Sequence, residues 1–355
     1  MTPPHLTASP ATTLWGRLPS EADAPVLSVE AGTQVTIDTV SHEGILEDQG
    51  RDPVAFFGRH GVAAADVLTD AIDIAANADH LPGAGPHVVT GPIAVRGARP
   101  GDWLAVRVDA LVRRADYGVI SSRHGRGALP GRFPPGGASV TSVFCRVDDR
   151  HGYLPLRPPA ADRGAGDRPV ARFPLAPFLG IMGVTPRGAV RRGSIAPGEF
   201  GGNLDISLLV PGSVLYLPVE VPDAGFYVGD PHYAQGNGEI ALTALEAPLT
   251  ATLTLGLVEA AAGKARFGEV AGPVVTTPQY LVPTGLDADL DIAVERCAAN
   301  AVELLRASFG MDPALGYAYL SAAADFDISQ VVDLVKGVHA RIRRADFPGS
   351  GGWSW

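Results

Sequence analysis

Apolar and polar residues alternate along much of the first 260 positions, and a period of two puts them on opposite faces of strands. VLSVEAGTQVTIDTV (26–40) reads as strands that break into SHEGILEDQG. HLPGAGPHVVTGPIAVRGARPGDWLAVRVDALV (80–112) mixes turn residues with β-branched alternation and predicts consecutive strands. Between them, apolar spacing of three and four predicts a helix over 58–78, with His60 solvated on it. FPLAPFLGIMGVTP (173–186) is too punctuated for a helix and too apolar for an exposed loop; a buried connection, with Phe178 able to wall a pocket, is expected. PLTATLTLGLVE (248–259) continues the strands.

Past residue 286 the period changes. Leu290, Ala293, Val294, Cys297, Ala298, Ala301, Leu304 and Leu305 form one helical stripe, closed by Gly310. Asp327 and Gln330 read as a capping box opening a second helix over SQVVDLVKGVHARI (329–342). The resulting fold class is α+β, predominantly a β-sandwich of jelly-roll-like kind with C-terminal helices. Four parts follow: a β-rich 1–125, an irregular Gly/Pro/Arg-rich excursion at 126–170, a central β core at 171–285, and a helical 286–355 ending in the tail GSGGWSW. They are expected to intertwine as one domain.

Residues 197–246 concentrate the unusual chemistry. In GGNLDISLL, alternation sets Leu204, Ile206 and Leu208 toward a core and Asn203, Asp205 and Ser207 away from it. In GDPHYAQGNGE, Gly236-Asn237-Gly238 signals a tight hairpin, because primed turns need the positive φ that Gly and Asn tolerate. Either two-residue turn puts Asp230, His232 and Glu239 on one face; the Gly236-Asn237 turn brings Glu239 to about 7 Å from His232.

Composition narrows the chemistry. The chain has 355 residues, a net charge of −10, 46% apolar and 19% charged residues, as expected of a folded, water-soluble protein. The acidic balance argues against nucleic-acid or anionic-membrane partners. The N-terminus lacks a signal-peptide pattern and no apolar run reaches membrane-spanning length, so a cytoplasmic location is expected. Lysine occurs only at 264 and 336, neither beside catalytic residue types, which nearly excludes lysine-dependent catalysis. Cys145 and Cys297 have no redox or metal spacing. There is no GxSxG elbow and no phosphate-binding glycine loop.

GGNLD, LYLPVEV and GDPHYAQGNGE resemble the acetamidase/formamidase family, whose members read GGNxD and, some way on, GDxHxxxGDGE. TGPIAVRGARPGDWLAV (90–106), FPLAPFLGIMGVTP and AYLSAAADFDISQVVD (318–333) extend the resemblance over most of the chain. Asn237 stands where the family carries Asp, and PGEF precedes GGN where many members have His or Asn. The resemblance implies a β-sandwich hydrolase of linear amides and a homo-oligomer, and it raises His42, after the first strands, and His87, before a matching strand, as site candidates.

The residues alone leave two readings of the histidine–carboxylate face: a divalent metal hydrolase or an acidic hydrogen-bonded network without metal. The resemblance favours the enzyme. The expected reaction is hydrolysis of a short amide such as formamide or acetamide to carboxylate and ammonia. His232, Asp205 and His42 are the expected metal ligands, and Glu239 or Glu199 the catalytic base and acid. Asn203, Gln235, Asp230 and His87 are the expected substrate-binding residues. Zinc is the first choice of metal, with manganese or iron as alternatives and an additional calcium site allowed by the carboxylates. The competing functions are a non-enzymatic metal- or sugar-binding sandwich, and a divergent amidase acting on a larger amide.

Overall fold

The computed structural model describes residues 3–157 and 170–348. Among them the chain is mostly β, with two large sheets and few helices. A nine-stranded sheet runs, in order, His5–Leu6, Thr33–Asp38, Leu249–Val258, Trp103–Arg113, Val214–Pro218, Val274–Thr276, Tyr280–Asp287, Lys336–Arg343 and Asp325–Gln330. The second sheet has eleven strands. At its heart the strand Phe226–Ala234 pairs antiparallel with Phe178–Val184 on one side, and with Val88–Arg96 and Leu245–Glu246 on the other. One buried cluster draws Val35, Ile37, Val106 and Leu253 from the first sheet and Ile93, Phe178, Ile181 and Val228 from the second. Burying such side chains contributes roughly 1.5–3 kcal/mol apiece.

The alternating segments fold as read: Leu27–Glu30 and Thr33–Asp38, then Val88–Arg96 and Trp103–Arg113, are strands. The long helix is Leu290–Phe309, with the Asp289 side chain accepting from the backbone at its start and Gly310 left-handed at its end. It lies on Tyr280–Asp287 with no room to spare: a Cβ on Gly285 would meet Ala293 O at 2.1 Å and Cys297 N at 2.3 Å. Cys145 and Cys297 are buried free thiols, and burial pushes both thiols' pKa up. Among the described residues no helix is long and apolar enough to cross a membrane.

Several expectations are corrected. FPLAPFLGIMGVTP contains a strand, Phe178–Val184, rather than a connection; it is buried along its whole length, and a strand covered on both faces does not alternate. The expected irregular excursion over 126–170 holds two strands, Val140–Val147 and His151–Pro155. Among its described residues the glycines and prolines mostly fall in the loop ahead of Val140; residues 158–169, with DRGAGDRP, lie outside the described residues, as does the tail GSGGWSW. The single helix expected over 58–78 is a short helix ending at Gly58 and another at Thr69–Asn77; exposed His60 follows the first and stacks on Phe144.

SQVVDLVKGVHARI is not a helix. Asp325–Gln330 and Lys336–Arg343 form an antiparallel hairpin, so Asp327 caps nothing and instead accepts from Arg341 Nε at 2.6 Å. The second C-terminal helix is Pro313–Ala323, capped by Asp312. VVDLV (331–335) takes neither period, being the connection between the two strands.

The hairpin buries His339 completely, with Nδ1 2.8 Å from Ser329 Oγ. Burial lowers its pKa from 6.5 to about 4. A depressed folded pKa means that the neutral form belongs to the fold: the stability it carries is complete above pH 6.5 and is lost as pH falls through about 4. The loss should approach about 3 kcal/mol. Urea titrations at neutral and acid pH should therefore show a smaller acid loss for His339→Gln than for the parent; equal losses would contradict this.

Candidate functional site

Eight buried titratable side chains meet at one end of the Phe226–Ala234 strand. They are His42, His87, Asp205, Asp230, His232, Glu239, Glu246 and Asp333, none more than 7% exposed. His42 sits in the turn beyond Thr33–Asp38, and His87 just ahead of Val88–Arg96. Asp205 follows the short strand Gly201–Asn203 and has φ 51°, while Asp230 has φ 52° within its strand. These left-handed residues bend the backbone and turn both carboxylates inward, a strained conformation held by its surroundings. Leu204 and Asp205 both donate backbone N–H to Gly180 O, which ties the GGNLD segment to the neighbouring strand.

His232 is the hub. Its Nδ1 lies 3.0 Å from Gln235 Oε1, and Gln235 Nε2 donates to Asp205 O at 2.9 Å and Ser329 O at 3.2 Å. Gln235 is thus occupied in orienting the imidazole. Nε2 of His232 is 3.1 Å from both Asp230 Oδ2 and Glu246 Oε1, the latter from the residue directly opposite in the ladder. Phe178 packs edge-on against the ring at 5.0 Å. On the far side of Asp230, His42 Nδ1 is 3.5 Å from Oδ1 and His87 Nε2 is 3.8 Å from Oδ2, while His87 Nδ1 is 3.0 Å from Ser194 Oγ.

Three sets could each hold a metal ion: His42, His87 and Asp230; Asp205, His232 and Glu239; and Asp230, His232 and Glu246. Asp230 is shared between the first and the last. Two observations fit the group to a cation. Buried atoms aimed at one another have no hydrogen-bond partner: both Asp205 oxygens, Asp230 Oδ1, Glu246 Oε2, Asp333 Oδ2, His42 Nδ1 and His232 Nε2. Such atoms are costly unless something pairs with them. Beneath them Gly180 leaves a hollow, since a Cβ there would lie 2.5 Å from Asp205 Oδ1, 2.7 Å from Asp230 Oδ2 and 2.8 Å from His232 Cε1.

Protons are redistributed as crowded buried charges require. Burial, then Asp230 and Glu246, raises Asp205 to about 7. Burial with Asp205 and Asp333 raises Glu239 far above an ordinary carboxyl; burial with Asp205 raises Asp333 likewise, and burial with Asp230 raises Glu246. Against the cost of burial, His87 and His232 hold Asp230 well below the usual range. Against the same cost Glu246 and Asp230 raise His42 to about 10, while burial and the two neighbouring imidazoles lower His87 to about 4.

The cluster forms the floor of a cavity of about 750 Å³, whose lining includes His42, His87, Asn203, Asp230, Glu239, Glu246 and Asp333 together with Leu46, Ile195 and Val332. Asn203 is 1% exposed and its Oδ1 has no partner, so its carbonyl oxygen is free to accept from a ligand.

The sequence-predicted residues are therefore brought together with one exception. Glu199 is exposed and lines a different pocket with Arg192 and Glu220; the turn at Gly198–Gly201 faces it away from the cluster. Glu239 arrives by another route than expected. No tight hairpin forms; residues 235–244 make a long loop before Leu245–Glu246, in which Ile240 is 65% exposed. What seats Glu239 is its own φ of 46° and the docking of Gly238 on the C-terminal hairpin through Ser329 O and Val331 N.

Sequence reasoning missed Glu246, Asp333, Glu43 as an anchoring residue, and Arg123. Glu246 carried a signal, as a carboxylate alone in the apolar run ALEAPL of a strand edge. Asp333 was hidden by the helical reading of its segment. Glu43 accepts from Arg123, Gln49 and Ser121, and its Oε1 is 3.4 Å from His42 Nε2. Despite burial, Arg123 keeps its carboxyl below the ordinary value.

Residues 187–342 match the model of the acetamidase/formamidase family. The chain is 26% identical over 302 residues to a formamidase of Methylophilus methylotrophus, covering 70% of this chain and 74% of that protein. In fold it is similar to an acetamidase from Bacillus halodurans, with a TM-score of 0.74 and 23% identity over 98% of this chain and 99% of that one. A predicted acetamidase/formamidase from Thermoanaerobacter tengcongensis gives the same TM-score at 22% identity over 99% of each chain. The resemblance read from the motifs is thus shown.

Gly180→Ala tests the hollow beneath the cluster, because the added methyl group displaces carboxylates without straining the backbone. The variant should stay folded by circular dichroism but lose the rise in Tm that added zinc or manganese gives the parent. An undiminished rise would show that the hollow is not used.

Proposed function

We propose that this chain, whose sequence resembles the acetamidase/formamidase family, is an amidase that hydrolyses linear primary amides to carboxylate and ammonia with the help of a bound divalent cation. The observation that carries the reading is the convergence of unpartnered, buried carboxylate and imidazole atoms on the floor of a cavity. A binding sandwich needs no such collection of perturbed acids, whereas pKa values pushed apart within one cleft suit proton transfer.

His232, Asp230, Glu246 and Asp205 would hold the cation, with His42 and His87 able to form a second position across Asp230. Zinc suits imidazole with carboxylates best, and manganese or iron nearly as well. Bound there, it would supply Lewis acidity toward the amide carbonyl and toward water. The remaining work belongs to the chain. Gln235 fixes the His232 ring so that Nε2 faces inward. Glu239 lines the cavity beside Asp205 and Asp333; ionised when a cation is bound among these acids, it would accept a proton from the attacking water and return it to the departing nitrogen. Asn203, with its carbonyl oxygen free to accept in the cavity, orients the substrate amide. The same reading carries finer proposals: a jelly-roll-like sandwich, and a homo-oligomer acting in the cytoplasm.

The test is ammonia release from formamide, acetamide and longer amides. Glu239→Gln should lower kcat by about 10²–10⁴-fold while leaving KM within a few-fold. His232→Ala should abolish turnover; a folded His232→Ala protein with parental rates would sink the mechanism.

A further inference from the structure

The uncleaved part of the substrate also leaves a mark, and the inference drawn from it rests on the amidase reading. A cavity of about 750 Å³ is far larger than formamide or acetamide needs, and falls in the range of sites that enclose much larger ligands. Its wall beyond the cluster is part apolar, with Leu46, Ile195, Leu242 and Val332.

One charged side chain in that wall has donors to spare. The Arg123 side chain is 7% exposed and projects from the end of the strand Tyr117–Arg123. Its Nη2 donates to Glu43 Oε1, but Nε and Nη1 have no hydrogen-bond partner. The carboxylate nearest Nη1 is Asp48, at 3.6 Å. Buried donors left unmet are costly, and the cost is recovered when a ligand supplies the acceptor.

The kind of acceptor follows from the surroundings. Glu43 already neutralises the guanidinium, and Glu47 and Asp48 line the cavity as well. A carboxylate would be repelled by these acids; a neutral oxygen is not, and needs only a single donor. Location follows as well. Glu43 Oε1 also lies 3.4 Å from His42 Nε2, so Arg123 stands one carboxylate away from the cluster, on the wall of the same cavity.

We propose that Arg123 is a specificity-determining residue, and that the substrate is a primary amide whose acyl chain carries a second, neutral acceptor oxygen, such as the far carbonyl of a dicarboxylic diamide.

The experiment measures kcat/KM by ammonia release for malonamide, succinamide and glutaramide, for propionamide, butyramide and valeramide as partners lacking the distal oxygen, for acetamide, and for succinamate as the anionic counterpart. At the chain length that spans the cavity, the diamide should exceed its monoamide partner by about ten- to a hundredfold, chiefly through KM, as a hydrogen bond to a charged group implies. The statistical factor of two for its two cleavable groups is set aside. Arg123→Lys keeps a cation against Glu43 and should reduce that ratio to below about threefold. Because the ratio is independent of how much enzyme is folded, partial misfolding cannot imitate the effect. Acetamide or the monoamides preferred at every length, succinamate preferred over succinamide, or a ratio unchanged in Arg123→Lys would each overturn the inference while leaving the amidase reading intact. Ammonia from no amide at all would overturn both.

Discussion

Buried carboxylates repel one another and pay heavily for lost water, yet Asp205, Asp230, Glu239, Glu246 and Asp333 crowd together with three imidazoles. Like charges this close cannot all ionise unless something positive lies among them. The fold answers with partial measures: Asp205 and Glu239 retain protons far above the usual range, and His42 and His232 hold theirs. These leave seven inward-facing atoms without partners, and a divalent cation is the simplest agent that would satisfy them together. Proton and metal compete for the same lone pairs, so loading should release protons.

Most of the architecture around the cluster follows from holding these groups against their repulsion. The central strand Phe226–Ala234 is flanked on both sides, which fixes Asp230 and His232. The left-handed residues Asp205, Asp230 and Glu239 store strain where function needs side chains turned off the regular pleat. Far-apart segments each contribute one side chain to the cluster: the turn after Thr33–Asp38, the start of Val88–Arg96, the GGNLD segment, the loop after residue 235 and the C-terminal hairpin. No one of these could form the site alone.

Sequence patterns made the alternating strands legible, as well as the Leu290–Phe309 helix and the association of Asp205, Asp230, His232 and Glu239. They failed where tertiary burial overrides local period. Phe178–Val184, covered on both faces, has no alternation to read, and SQVVDLVKGVHARI spans parts of two strands and their connection, so its helical reading concealed Asp333. Glu239 was assigned to the site through a tight turn that does not exist; a long loop pinned by Ser329 and Val331 delivers it instead. Proximity to a double glycine suggested Glu199, but the turn there points it outward. Arg123 and Glu43 form one buried ion pair from residues far apart in the chain, which no local spacing announces.

The central claim is that the buried acids exist to hold a catalytic cation. It is tested most directly by measuring the metal content of the purified protein by plasma mass spectrometry, together with ammonia release before chelation, after it, and after metal is restored. The account predicts stoichiometric divalent metal, activity lost on chelation, and recovery on re-addition. Full activity in protein stripped of metal would contradict it.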